Sequence, residues 1–299
     1  MNFFIFSAII NAFIAGLLGT VVILRNRKEL INRLFFYLSI SVVFWSVGYW
    51  QWMLSNNASS ALFWSRLLSI SALFIPIFYL HWILVFTNLH TKRSNLIKLL
   101  YFIVLIFCVF SFSNLFIKGV EQKFTFLFWP IPGVLYHFYL IFIFFGLISY
   151  SLILLLGQYK IKTGIEKVRI KYIILGSLVG FGGGITNFFV WYNIPIFPYG
   201  NILVSFYPIV LAIASLRYGL FNIKIIATEL LVFVVWVFLL IRIFLTENLE
   251  NRIIDGSLLI LVIFFGIFII KSVIKEIRHR EEVERLADEL ESINQKLKE

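Results

Sequence analysis

The chain holds one cysteine, four histidines, two methionines and only 15 acidic side chains in 299 residues, and each scarcity removes a class of function. Cys108 stands alone in an apolar run, which excludes an internal disulfide and a cysteine-based metal centre. His81, His90, His137 and His279 form no HExxH or comparable metal-ligand spacing, so no metal and no cofactor is expected. Glu229 is the one acid well inside an apolar run, near its basic end, so the paired carboxylates of an aspartyl intramembrane protease are missing. The glycines of GFGGG, 180 to 184, lie in an apolar stretch where helix packing explains them better than phosphate binding. The run ILVSFYPIVLAIASL carries no lysine for a retinal Schiff base. No catalytic residue emerges.

Charge is scarce too. With 14% charged and 61% apolar residues and a mean hydropathy of +0.96, the chain lies far outside the composition of a soluble domain. Its apolar runs approach or exceed the roughly 20 residues that span a bilayer as helix, whereas membrane barrels use shorter, alternating segments. An all-α membrane protein is expected, with the lipid bilayer as its first partner. A net charge of +11 would suggest nucleic acid for a soluble protein. Here the basic residues sit in short loops between apolar runs and report topology instead. No nucleic-acid partner is expected.

Nine apolar runs can be counted, at about 2–24, 34–54, 61–86, 97–117, 134–156, 170–190, 202–216, 225–245 and 253–270. The first carries its positive cluster after the apolar stretch, as a retained span does and a cleaved signal peptide does not. The last is short, so seven crossings plus a re-entrant hairpin remains an alternative of the same parity. The expected architecture is a seven-helix bundle over 1–224, a further two-helix hairpin over 225–270 and a cytoplasmic coiled-coil helix over 271–299. The connection KGVEQKFTFLFWPIPG is long and aromatic, as suits a segment lying at the membrane surface. In the sixth run, Gly176, Gly180 and Gly184 recur every fourth residue, a spacing that lets helix backbones approach closely.

Alternate loops differ sharply in Lys and Arg. Segments 25–33, 90–98, 157–171, 217–224 and 271–280 hold eighteen, whereas the opposing loops hold Lys118, Lys123 and Arg252. The positive-inside rule then places the N-terminus outside and the C-terminus in the cytoplasm of a multi-pass protein.

A set of polar and aromatic residues gathers towards the outer half of these runs. Arg66 stands inside the third run, and an intramembrane ionisable group is a functional candidate by default. Trp50 ends the second run on the same side, Tyr136 and His137 begin the fifth, Asn187 and Trp191 close the sixth and Tyr199 precedes the seventh. Together they are candidates for an outward-facing pocket, with Arg66 meeting an anionic or carbonyl group of an unknown small-molecule or lipid ligand. The bland alternative is an arginine that snorkels and aromatics that form an interfacial belt. His81 reads as a packed, hydrogen-bonded core residue.

From about Ser257 the chain passes from apolar sequence into IKEIRHREEVERLADELESINQKLKE with no Pro or Gly. A continuous helix of roughly 43 residues would be about 65 Å long, enough to cross a bilayer and project beyond it. Val283, Leu286, Leu290, Ile293 and Leu297 follow 3-4-3-4 spacing, the seam of a coiled coil, and parallel dimerisation is the natural way to bury it. Ile270, Ile274 and Ile277 keep the rhythm but lie one position out of phase, so the register breaks across 278–282.

The segments LFWSRLLSISALFIPIFYLHWILVFTN (62–88), SLRYGLFNIKIIATELL (215–231) and REEVERLADELESINQKLKE (280–299) resemble the N-terminal seven-transmembrane sensor region of bacterial membrane histidine kinases. The resemblance covers roughly 1–224, and the remainder resembles the linker that leads to a dimerisation and phosphoacceptor domain. It implies a homodimeric sensor module of a two-component-type system in the bacterial cytoplasmic membrane, relaying a stimulus through its coiled coil to a kinase domain or signalling partner. Such kinases continue into a phosphoacceptor histidine and an ATP-binding domain. These 299 residues contain neither, and His279 lacks the phosphoacceptor surroundings, so the chain by itself is not expected to be an enzyme. A transporter of small molecules or ions is the first alternative, weakened by the absence of a clear internal repeat and of midplane charge. A membrane anchor or scaffold for a cytoplasmic partner is the second.

Overall fold

The computed structural model describes residues 2–210 and 253–269, together with isolated positions 232, 235, 239, 250, 272, 275, 283 and 286. The chain divides into two compact units, Met1–Ala214 and Ser215–Glu299.

The first unit is built from helices α1 (Asn2–Arg25), α2 (Leu30–Met53), α3 (Ala58–Phe86) and α4 (Ser94–Phe110), then strands β1 (Ile117–Lys123) and β2 (Phe126–Pro132). After the strands come α5 (Val134–Ile161), α6 (Gly164–Trp191) and α7 (Tyr199–Val210), which opens as a 3-10 turn. Five of these, α1, α2, α3, α5 and α6, are long and apolar enough to cross a membrane. Helix is the expected solution, because backbone N–H and C=O groups find no water in hydrocarbon and must pair within their own segment.

The ends are set by local chemistry. The side chain of Asn57 accepts from the Ser60 N–H at 2.8 Å and starts α3. Asn88, at φ 58°, ends α3 with its N–H on Val85 O and that of Leu89 on Leu84 O, the paired closure in which a left-handed residue satisfies the last carbonyls. Asn193 ends α6 in the same way, through Val190 O and Phe189 O. Pro76 sits inside α3, tolerated where neighbouring helices surround the freed carbonyl.

Several boundaries differ from the sequence expectation. The fourth helix is only 17 residues and stops at Phe110, short of the expected 117. There the Ser111 and Ser113 hydroxyls donate back to Cys108 O and Phe110 O and end the regular turn. The fifth and sixth helices outrun their apolar cores into the basic loop, to Ile161 and from Gly164. Lys162 and Glu166 pair across that gap at 2.8 Å.

The principal addition to a helical picture is the segment after α4. It forms an antiparallel β-hairpin, with Val120 opposite Pro130 and Lys123 opposite Phe126. Pro130 and Pro132 are compatible with a two-stranded ribbon because each strand is an edge. Phe124, in the two-residue turn, takes a positive φ of 53°, uncommon for a bulky side chain, and its ring lies 5.9 Å from that of Phe197.

Of the second unit, α8 (Ile253–Ile269) is an apolar helix of 17 residues, below the usual spanning length. Val283 and Leu286, later in this unit, are helical and exposed. The other seam positions, Leu290, Ile293 and Leu297, lie outside the described residues, as do most of 225–245 and the register break at 278–282.

Candidate functional site

The α2 sequence places Leu38, Val42, Trp45, Tyr49 and Trp52 at 4-3-4-3 spacing, so all five share one helical face. That face, the first half of α3, the start of α5, the second half of α6 and residues 204–207 of α7 line a partly open cavity. About 90 Å³ of it is open to the centre of a water-sized molecule. The wall is aromatic: α5 contributes Tyr136, Tyr139 and Phe144, α6 contributes Phe181, Phe188 and Trp191, and α7 contributes Tyr207. From α3 come Leu68, Ser69, Ala72 and Ile75. Among the described residues, no Lys, Arg, Asp, Glu or His lines it.

Two backbone features shape the wall. Residues Tyr139–Phe145 form a π-helical segment within α5, a rare geometry that recurs at functional sites. The second is the close approach of α6 to α7. A Cβ on Gly176 would lie 2.8 Å from Val210, and one on Gly180 would run into Tyr207. Gly184 has ordinary contact with Val204 at 3.7 Å. Gly180 and Gly184 both lie on the cavity wall.

Polar groups at the wall divide into satisfied and unsatisfied. Trp52 Nε1 donates to Phe128 O at 2.6 Å, and Tyr139 donates to Ala72 O at 3.2 Å. Among the described residues, Tyr49 Oη, Tyr207 Oη and Asn187 Oδ1 are buried with no hydrogen-bond partner. Asn187 Nδ2 donates to Gly184 O at 3.1 Å and Asn201 Oδ1 at 3.2 Å. Asn201 Nδ2 donates to Ser7 Oγ at 2.9 Å, and its carbonyl accepts from Asn11 Nδ2 at 2.8 Å. The cavity wall thereby joins a buried polar network running from α6 through α7 to α1.

The hairpin is fixed to the same end of the helices. Trp129 is fully buried, with its ring 4.7 Å from Trp52 and 4.5 Å from Phe126. Lys123, 6% exposed, donates to Trp191 O at 2.8 Å and lies 3.4 Å from Glu121. A cation on the last carbonyls of α6 is the favourable arrangement at a helix C-terminus.

Of the candidate pocket residues, Tyr136, Asn187 and Trp191 meet on the cavity wall, and Trp50, Arg66, His137 and Tyr199 stand elsewhere. Trp50 is half-buried beside the wall residues Tyr49 and Trp52. Arg66 Nη2 donates to Asn114 Oδ1 and Ile117 O, each at 2.8 Å, and so ties α3 to the start of β1. His137 Nδ1 shares a hydrogen bond of 2.8 Å with the Tyr192 hydroxyl. Burial raises the Tyr192 phenol above its ordinary value, which keeps that hydroxyl protonated. Tyr199 is 61% exposed and packs on Phe3 and Phe4. His81 is half-buried and hydrogen-bonded to Tyr101 at 3.0 Å.

A family model described as the N-terminal 7TM region of histidine kinase matches residues 4–224. The chain belongs to this histidine kinase 7TM family. Every helix around the cavity falls inside the matched region of this 7TM family member, as does the hairpin. No curated protein matches the chain significantly. The family is the N-terminal membrane region of such kinases, and the match is consistent with a sensor module over residues 4–224 of this membrane chain.

Proposed function

We propose that the chain is a homodimeric sensor module of a two-component-type system, in which 1–224 receive a stimulus, 225–270 form a further membrane hairpin and 271–299 relay the result. The observation that carries this reading is the aromatic cavity lined by five helices within the family-matched region. Its unpaired polar atoms give a ligand something to recognise, and its position between helices lets occupancy bias how they pack. The loop-charge asymmetry supports an external N-terminus and a cytoplasmic output helix. The seam from Val283 to Leu297 supports a parallel coiled coil leading to a kinase domain or signalling partner. Phosphotransfer then belongs to that kinase domain or partner and not to the 7TM region.

Arg66, His137 and Tyr199 keep a supporting role in this account. Arg66 holds the hairpin, His137 braces Tyr192 beyond the end of α6, and Tyr199 anchors α7 on α1.

Disulfide crosslinking in native membranes tests the dimer, using Leu286→Cys and Leu290→Cys in a Cys108→Ala background. Crosslinked dimer at both positions is expected. Monomer alone at both would overturn the dimeric relay.

A further inference from the structure

Resting on the sensor reading, we propose that the cavity between α2, α3, α5, α6 and α7 binds a neutral, mainly apolar molecule bearing a hydroxyl or comparable donor group. Asn187 is its hydrogen-bonding anchor.

The absence of charge on the wall sets the first half of the ligand's chemistry. An ionised carboxylate or phosphate would leave water with no described cation to meet it, a large penalty in a low-dielectric site. Arg66, the obvious partner for an anion, is not on the wall and spends its Nη2 on Asn114 and Ile117. A ring or short hydrocarbon meets aromatic faces instead. A dry apolar cavity of about 150 Å³ holds benzene, so a cavity of this order takes a single small ring.

The network fixes the second half. The Ser7 hydroxyl donates to Phe4 O at 2.8 Å, so it must accept from Asn201 Nδ2. That turns Asn201 Oδ1 to Asn187, whose Nδ2 must then donate, and Asn187 Oδ1 is left as an acceptor. Asn187 is 5% exposed, Tyr49 1% and Tyr207 6%, and Asn187 Oδ1 and the two phenol oxygens lack a partner. The unpaired carbonyl calls for a donor and each unpaired phenol for an acceptor, and a hydroxyl can serve as either. A ligand that engages Asn187 pulls on the amide holding Asn201, so occupancy reaches Ser7 and Asn11 of α1 through the same network.

The probe is 4-bromophenol, with 4-bromotoluene as the partner in which a methyl group replaces the hydroxyl. Bromine quenches tryptophan, and Trp45, Trp52 and Trp191 line the cavity. With the full chain in lipid nanodiscs, 4-bromophenol should quench saturably, and 4-bromotoluene should bind about tenfold more weakly, the scale of one lost neutral hydrogen bond. Asn187→Leu and the volume-conserving Tyr207→Phe should each weaken 4-bromophenol about tenfold, leave 4-bromotoluene unchanged and so remove the difference. Ala72→Phe, which fills the space, should abolish saturable quenching by both. Linear quenching identical in all variants, the signature of lipid partitioning alone, would overturn the proposal. So would saturable quenching indifferent to Asn187 and Tyr207. Saturable binding with the predicted variant pattern but no effect on signalling output supports the site and removes the sensor reading, which keeps the two failures apart.

Discussion

Tyr136 and Trp191 stack face to face, with ring centroids 4.0 Å apart and planes 11° from parallel. The pair joins the start of α5 to the last residue of α6, and both rings face the cavity. Trp191 also offers its carbonyl to Lys123, so cavity wall, helix end and hairpin meet at one residue. Trp191→Ala should destabilise the bundle by about 3–5 kcal/mol, the range for truncating a buried tryptophan, while Trp191→Phe keeps a ring on Tyr136 and loses less. Thermal unfolding followed by near-UV circular dichroism in nanodiscs measures both; equal midpoints for Ala and Phe would contradict a stacking role.

Lys123→Met removes a charged donor from the end of α6 while keeping the length of the side chain. A cost of about 1–2 kcal/mol is expected for a partly buried cation at a helix C-terminus. The emission of Trp191 should shift as its carbonyl is released. Unchanged emission and unchanged stability would show that the hairpin is held by its apolar contacts alone.

Arg66→Ala breaks two hydrogen bonds, one to Asn114 ahead of β1 and one to Ile117 O within it, and Arg66→Lys lacks the Nη2 that makes both. Amide hydrogen exchange across 117–132 should accelerate in both variants relative to exchange in α2. If exchange there stays at the parent level, Arg66 is not the hairpin's clamp.

Gly180 and Gly182 differ by two positions and should differ in sign. An added Cβ at Gly180 strikes Tyr207, whereas at Gly182 nothing lies within 4 Å. Gly182→Ala should stabilise slightly through helix propensity, by up to about 1 kcal/mol. Gly180→Ala should lower the unfolding midpoint. Equal responses would place the α6–α7 contact elsewhere.

Much of this architecture can be read from the sequence, and the reasons it stops are physical. Long apolar runs announce α1, α2, α3, α5 and α6, because a spanning helix must be apolar nearly all round. The glycine spacing points to a close helix contact before its partner is known. Tyr136, Asn187 and Trp191 are legible as pocket residues because polar and amphipathic side chains stand out in apolar helices. Arg66 stands out for the same reason, yet its partners are Asn114 and the carbonyl of Ile117, 48 and 51 residues away, a distance no local pattern encodes. The hairpin hides because IKGVEQK and FLFWPIP alternate weakly and carry two prolines. The signal passed over is the α2 stripe from Leu38 to Trp52. In a membrane helix apolar spacing marks no single face as the inner one, so aromatic spacing is the better guide.

On the proposed sensor reading, the cavity in the 7TM region governs the C-terminal helix. The most direct measurement compares disulfide crosslinking at Leu286→Cys and Leu290→Cys, in the Cys108→Ala background, with and without Ala72→Phe. Leu178→Phe, on an exposed position of α6, serves as control. The account predicts that filling the cavity changes the ratio of crosslinking at 286 to that at 290 by severalfold, while Leu178→Phe leaves it unchanged. An identical ratio in parent, Ala72→Phe and Leu178→Phe would contradict it.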